Sequence, residues 1–509
     1  MKNQIYYGDN LDVLRNHLAS DSVDLCYIDP PFNSKRNYNQ IYNNIGTEDK
    51  AQAQAFIDTW TWDSMAEHGL REIIANKNCV LSAQSIKLMI GLEQILGKGS
   101  LLAYLVSMTL RIAEIRRVLK PTGSFYLHCD PTASHYLKLV CDGVFCSSGG
   151  DFRNEIIWCY STGGRAKEFY PKKHDVIFWY IKSKNYLFNY DAIALERDTT
   201  TMHEPILHDD EGRSYQRNIK NGKEYKYYLD KGVLPNDWWI DIQAINPSAK
   251  ERLGYPTQKP EALLERIIKA CSNEGDVVLD AYCGCGTTIA VAHRLGRKWI
   301  GIDITYQSIS LILKRLEHSF IKDFTDNVVD KNIANPLEQL EINGVPKDMD
   351  SAIALANKQD DRTHKEFEKW LVLSYSNNRA TINEKKGGDA GIDGIAFLDD
   401  VDSDNKHTVK QVLFSVKSNK TLSPSVIRDL YGTVERENAA VGILLTLYPM
   451  ENLVKESKKY GEVKLANNFY SKIQVVCVEE MLNGERLQLP NVIDVLKKAE
   501  QKAIQMSIL

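Results

Sequence analysis

The run Val277–Ile304, VVLDAYCGCGTTIAVAHRLGRKWIGIDI, constrains this chain more than any other stretch. An apolar run, Val277-Val278-Leu279, ends in Asp280, and a small-residue turn follows, Tyr282-Cys283-Gly284-Cys285-Gly286-Thr287-Thr288. A helical pattern continues through Arg294, and a second apolar run, Trp299-Ile300-Gly301-Ile302, ends in Asp303. The order is strand, glycine turn, helix, strand, with an acid at each strand tip. Such a turn lets backbone approach a nucleotide-type ligand, and an acid on the second strand can hold ribose hydroxyls.

The turn departs from the dinucleotide pattern, because Gly284-Cys285-Gly286-Thr287-Thr288-Ile289 has no third glycine. A diphosphate at the helix start is therefore disfavoured. A cofactor without phosphates fits better, and S-adenosylmethionine is the leading candidate. Asp280, Tyr282, Gly284, Gly286, Thr287 and Asp303 are the candidate cofactor residues.

A second motif lies near the start. Residues 1–28 read as strand, helix and strand, and the second strand runs into Asp29-Pro30-Pro31-Phe32-Asn33. Two prolines make the backbone after the strand rigid and leave carbonyls without competing N–H groups. A carboxylate, free carbonyls and an aromatic face suit an exocyclic amino group. Asp29 and the Pro30 carbonyl can accept its two N–H protons, which favours a pyramidal nitrogen as charge develops in the transition state. Phe32 can stack on a base swung out of a duplex. Asp29, Pro30, Pro31 and Phe32 are the catalytic candidates.

LDAYCGCGTT and Asp-Pro-Pro-Phe together resemble a β-class amino methyltransferase acting on DNA, the permuted order in which the catalytic motif precedes the cofactor motif. Further matches spread over the first 320 or so residues: 56–63, 117–130, 152–158, 172–180 and 255–260. The resemblance implies a Rossmann-like fold, S-adenosylmethionine as cofactor and double-stranded DNA as partner. It implies that Thr257, Lys259 and Pro260 lie against the cofactor and that the segment ending in Val176–Tyr180 shapes the target-base pocket. It implies a target-recognition region at 185–250, where the sequence is polar and without clear periodicity. Arg165, Lys167, Lys172, Lys173 and His174, interleaved with Phe169 and Tyr170, suit a phosphate-gripping loop. Trp238-Trp239 and Ile240-Asp241-Ile242 read as an apolar patch against the core. Asp-Pro-Pro-Phe favours adenine N6, and cytosine N4 stays the alternative. Family members often dimerise, which leaves a homodimer open.

Residues 323–349 read as a linker, and 350–490 have a pattern of their own. Phe367, Trp370, Leu371 and Leu373 suggest an amphipathic helix. Gly391-Ile392-Asp393-Gly394 is a glycine turn into a strand, and Val412–Lys417 is a second strand. Period-two alternation puts Ser415 and Lys417 on one face. With Asp393 beside them, they could serve metal-assisted phosphodiester cleavage, the acid holding Mg²⁺ and the lysine polarising water. This part resembles an Mrr-like restriction endonuclease domain of the PD-(D/E)xK type, a smaller α/β fold. The family usually has Glu or Gln where this chain has Ser415, so a helix acid such as Glu368 and the Val416 carbonyl would complete the site. The alternative is a domain that binds DNA without cutting. Residues 491–509 read as a closing helix.

The remaining composition narrows the field. Five hundred and nine residues are too many for one core. The net charge of −4 gives no global basic field, so any nucleic acid must meet a local one. The ten cysteines form no CxxC pairs, which speaks against a disulfide framework or a zinc site. There is no signal peptide, no apolar run long enough for a membrane span and no Gly-x-x-x-x-Gly-Lys-Ser/Thr loop, so a cytoplasmic protein without an ATP motor is expected. The fold class expected is α/β in both domains. The function expected is site-specific adenine-N6 methylation with cleavage by the second domain, in a restriction-modification or defence system.

Overall fold

The computed structural model describes residues 2–31, 36–41, 52–58, 60–161, 167–196, 205–246, 248–253, 255, 257–320, 337, 340–357, 361–383, 391–401, 407–485, 487–490 and 492. The expected stacking residue Phe32, the basic Arg165 and nearly all of the expected closing helix lie outside these residues, as do the side chains of 56–59.

Nine strands build the principal sheet: β1 Asn3–Tyr7, β2 Val23–Ile28, β3 Leu119–Cys129, β4 Asp151–Cys159, β5 His174–Ile181, β6 Trp238–Trp239, β7 Val277–Asp280, β8 Lys298–Asp303 and β9 Leu340–Asn343. Their order is β6-β4-β5-β3-β2-β7-β8-β1-β9. From β3 to β9 all neighbours are parallel, while β5 runs antiparallel to both β3 and β4. The central strands are apolar on both faces because helices cover both. β7, for example, is buried throughout. Helix α1 (Asn10–His17) starts on Asp9, whose carboxylate accepts from the Leu11 N–H. Helix α2 (Ser100–Val118) is apolar on almost every face and sits in the interior of one layer. Helices α3 (Glu261–Cys271), α4 (Thr287–Arg294) and α5 (Tyr306–Phe320) belong to the other.

The order places β2, β7 and β8 side by side at the centre. The residues that follow or close them, Asp29, Asp280 and Asp303, share the carboxyl edge of the sheet. In open α/β sheets that edge is where ligands bind.

The stretch expected to act as a linker is only partly that. Leu340–Asn343 pairs in parallel with β1, from Asn3↔Leu340 to Tyr6↔Asn343. An unpaired sheet edge exposes backbone donors and acceptors, and this segment satisfies them. Helices α6 (Met349–Ala356) and α7 (Asp361–Tyr375) lead into a five-stranded sheet. Its strands are β10 Thr381–Ile382, β11 Gly394–Val401, β12 His407–Lys417, β13 Val441–Thr446 and β14 Ile473–Cys477, in that spatial order. Helix α8 (Ser425–Arg436) connects β12 to β13, which run parallel. One apolar cluster runs without a break from Ile309 and Leu316 of α5 through Phe367 and Trp370 of α7 to Val412 and Ile443. No described helix is long and apolar enough to cross a membrane.

Candidate active sites

The glycine turn is shaped by close packing. Gly284 and Gly286 have φ of +47° and +74°, values that favour glycine. A Cβ on Gly286 would come within 2.8 Å of Ile312 Cγ1, and one on Gly284 within 3.2 Å of the Tyr255 ring. Asn10 donates to the Ala281 carbonyl at 2.8 Å and so ties the turn to the start of α1. Asp303 accepts from the Gly284 N–H at 2.9 Å and from the N–H and hydroxyl of Thr305 at 3.0 Å each. Asp280 accepts from the Tyr282 N–H at 3.0 Å and from the Thr288 hydroxyl at 2.5 Å. Thr287 is buried, and its hydroxyl accepts from Arg315 at 3.0 Å.

These acids are held away from water. Burial, with smaller contributions from Asp29 and Asp303, pushes the Asp280 carboxyl up to about 7. Burial pushes Asp303 up to about 6, against the hydrogen bonds from Thr305 and Gly284. A ligand carrying positive charge would relieve both. The cradle therefore suits a nucleoside with a cationic group better than a nucleotide with anionic phosphates.

Asp29 follows β2 directly. Its Oδ2 is 2.5 Å from the ammonium of Lys259, which lies just before α3. Its Oδ1 is buried and has no hydrogen-bond partner. Buried polar atoms are nearly always satisfied, so an orphaned acceptor marks a place for a donor that the fold does not supply. Lys259 is thus a partner of the candidate catalytic acid, a contact the sequence did not suggest. The two residues are 230 positions apart, and no local pattern links them. Thr257, two residues earlier, sits at φ +62°, a strained conformation for a β-branched residue. Pro260 is buried at the N-cap of α3.

A buried polar chain runs beneath this centre. The Tyr27 hydroxyl is 2.9 Å from His128 Nδ1, and His128 Nε2 is 3.0 Å from Asp175 Oδ2. A carboxylate only accepts, so Nε2 donates to Asp175. Tyr160 donates to the other Asp175 oxygen at 3.1 Å. Burial pushes the Asp175 carboxyl up, but His128, Lys259 and Tyr160 more than offset this and hold it below the usual range. Tyr160 also lines an open cleft of about 380 Å³ with Ser161, Lys173, His174, Ile240 and Gln243. The expected basic loop thus supplies Lys173 and His174 to a cavity wall, while Phe169 and Tyr170 are exposed. The apolar patch expected at 238–242 alternates: Trp239 and Ile242 are buried, Trp238 and Ile240 exposed.

In the C-terminal sheet, Gly394 pairs with Phe414 across β11 and β12, and extending that register by one places Asp393 opposite Ser415. Asp393 donates its N–H to the Phe414 carbonyl at 2.8 Å, and its Oδ2 accepts from the Val416 N–H at 2.6 Å. Ser415 is buried and Lys417 half-buried at the end of β12. A Cβ on Gly394 would meet Val372 Cγ1 at 2.6 Å, so this glycine lets α7 approach the strand start. Glu368, one helical turn before Val372, shares that face of α7. Among the described residues no three acids, histidines or cysteines gather as a metal cage. Mg²⁺ needs no such cage, since it keeps several waters and takes one or two carboxylates plus substrate phosphates. Asp393 would be the carboxylate such an ion takes, with its Oδ2 already accepting from the Val416 N–H.

A mostly parallel sheet with an acidic cradle at its carboxyl edge is the architecture of a Rossmann-like domain suited to a nucleoside cofactor. Comparison with protein families makes this specific. Residues 23–314, more than half of the chain, match the DNA methylase family of N6 and N4 enzymes, and the chain belongs to that family. Residues 360–468 match the catalytic domain of Mrr, a restriction endonuclease family. The DNA adenine methyltransferase YhdJ of Escherichia coli K12 is 30% identical over 315 residues, 62% of this chain and 82% of its own length. The type II methyltransferase M.HpaI of Haemophilus parainfluenzae is 31% identical over 210 residues, 41% of this chain and 58% of its own. The crystal structure of M1.HpyAVI bound to S-adenosylmethionine aligns with a TM-score of 0.33 at 17% identity, covering 62% of this chain and 98% of that one.

Proposed function

We propose that this DNA methyltransferase transfers a methyl group to adenine N6 in duplex DNA at specific sites. The observation that carries the reading is Asp29, with one oxygen bound to Lys259 and the other buried without a partner. Oδ1 and the Pro30 carbonyl would accept the two N–H protons of the target amine, so that its lone pair is freed from the ring. That interaction strengthens as positive charge develops on nitrogen, which is when it lowers the barrier. Asp280, Asp303 and the glycine turn would hold S-adenosylmethionine, which supplies the methyl group when bound. Adenine rather than cytosine rests on the acid itself, since a serine at position 29 would favour cytosine N4.

The C-terminal domain is read as a Mg²⁺-dependent endonuclease. Asp393 would hold the cation, with Glu368 as a further acid, and Lys417 would polarise the attacking water. The buried Ser415 hydroxyl is a weaker ligand than a carboxylate for a hard cation. The likeness to YhdJ, an adenine methyltransferase, and the Mrr match support the combined reading.

One experiment tests both halves. The Asp393→Ala protein is expressed in a host free of DNA methylation, and the genome is sequenced with a method that detects modified bases. N6-methyladenine at one recurring motif is expected. N4-methylcytosine would overturn the base assignment, and Asp29→Ala retaining transfer would overturn the mechanism. Unmodified DNA carrying the motif should then be cut by the unaltered protein with Mg²⁺, without added ATP, and not by Asp393→Ala. Equal cutting by both would remove Asp393 from the site.

A further inference from the structure

The polar region 185–250 contains a structure that its composition hides. Strands Ser214–Lys220 and Lys223–Tyr228 pair antiparallel from Tyr215↔Tyr228 to Lys220↔Lys223. They turn through Asn221-Gly222, with φ of +50° and +75°, the two-residue turn whose twist matches that of the strands. A third strand, Ile206–His208, pairs only with residues 214–216. From Arg217 outward the element is therefore a two-stranded ribbon.

Both faces carry cations beside tyrosine rings. On one, Lys226 lies 4.7 Å from the centre of Tyr215, and Arg213, at the ribbon's base, 4.5 Å from that of Tyr228. On the other, Lys223 lies 5.8 Å from the centre of Tyr225, and Asn218 and Lys220 are exposed beside them. Residues 214–228 hold four basic side chains and the single acid Glu224, in a chain whose net charge is −4. The ribbon is thus a basic island. Its base is connected along the chain to the cleft lined by Tyr160. Leu195 and Val233 exchange two backbone hydrogen bonds of 2.8 Å at its base. The chain then continues into β6 and on to Ile240 and Gln243, which line the cleft.

A two-stranded ribbon fits the DNA major groove, which is about 12 Å wide. An asparagine amide there can donate to and accept from an adenine edge, and lysines beside it meet phosphates. We propose that the ribbon enters the major groove of the substrate duplex, with Asn218 reading a base edge and Lys220 and Lys223 gripping the backbone. The proposal rests on the DNA-methyltransferase reading and adds the element that selects the site.

The test uses the full chain with two further variants, Asn218→Ala and the double variant Lys220→Ala, Lys223→Ala. The first should bind cofactor as before and methylate a set of sites relaxed at one base pair, with about tenfold or more loss of preference there. The second should bind every duplex more weakly, and the plot of log affinity against log salt should become shallower by about 2. An unchanged motif in the first, with unchanged affinity and salt slope in the second, would overturn the proposal. Failure of the unaltered protein to methylate any DNA would instead overturn the reading beneath it, so the two failures are distinguishable.

Discussion

At the scale of single residues, the molecule manages a concentration of carboxylates. Asp29, Asp280 and Asp303 share one sheet edge, and among the described residues only Asp29 has a cation, Lys259, as its partner. Lys259→Met would leave that acid partly buried and uncompensated, at a cost of about 3–5 kcal/mol if it stayed ionised. We expect kcat to fall by at least about 100-fold, with cofactor affinity much less affected, measured by single-turnover methylation and by equilibrium binding. Asp280 and Asp303 lead to a second expectation. Both carboxyls are raised, to about 7 and about 6, so the folded protein binds their protons more tightly than the unfolded chain does. Their contribution to stability is present below about pH 4 and is lost as pH rises through about 6–7. A cationic cofactor favours the ionised acids, so its binding near pH 6.5 should release protons. Its affinity should weaken by up to about tenfold per unit per proton as pH falls from about 7 to about 6. Calorimetry in two buffers of different ionisation enthalpy would detect the release. Equal heats would contradict it.

At the scale of elements, the packing of the glycine turn against α5 sets the cradle. Gly286→Ala combines a positive φ with a methyl group 2.8 Å from Ile312. It should cost about 1–3 kcal/mol of stability and weaken cofactor binding, read by thermal unfolding and titration. This element was legible in the sequence, because a buried parallel strand, a turn that demands glycine and an amphipathic helix each leave a local pattern. β1, α1 and β2 were legible for the same reason. The ribbon at 214–228 was not, since both its faces are polar or aromatic and the alternation that marks a half-buried strand is absent. Its one signal was the dipeptide Asn221-Gly222, a strong hairpin mark in itself. β9 was hidden differently: an edge strand of four residues carries too little pattern to separate it from linker. The Asp29–Lys259 pair belongs to a third kind, a contact made by topology alone.

At the scale of the whole molecule, the two domains are joined by more than a tether. Glu366 of α7 accepts from the Tyr306 N–H at 2.8 Å, at the start of α5 and three residues past Asp303. It also accepts from the Tyr7 hydroxyl at 3.5 Å, and Tyr306 meets the Ser374 hydroxyl at 3.2 Å. A glutamate at a helix N-terminus meets otherwise unpaired N–H groups and the positive end of the helix dipole. With β9 and one apolar cluster spanning both domains, calorimetry should show a single unfolding transition. Glu366→Ala should lower its midpoint by an amount equivalent to about 1 kcal/mol. Two well-separated transitions would show that the shared core does not couple the domains.

The strand that closes the first sheet and the helix that caps α5 come from the same short stretch, and this has a consequence for the cell that carries the gene. If the C-terminal domain cuts DNA, a lesion that melts the methyltransferase also melts the nuclease. Because the two share a core, a damaged copy would lose cutting and methylation together.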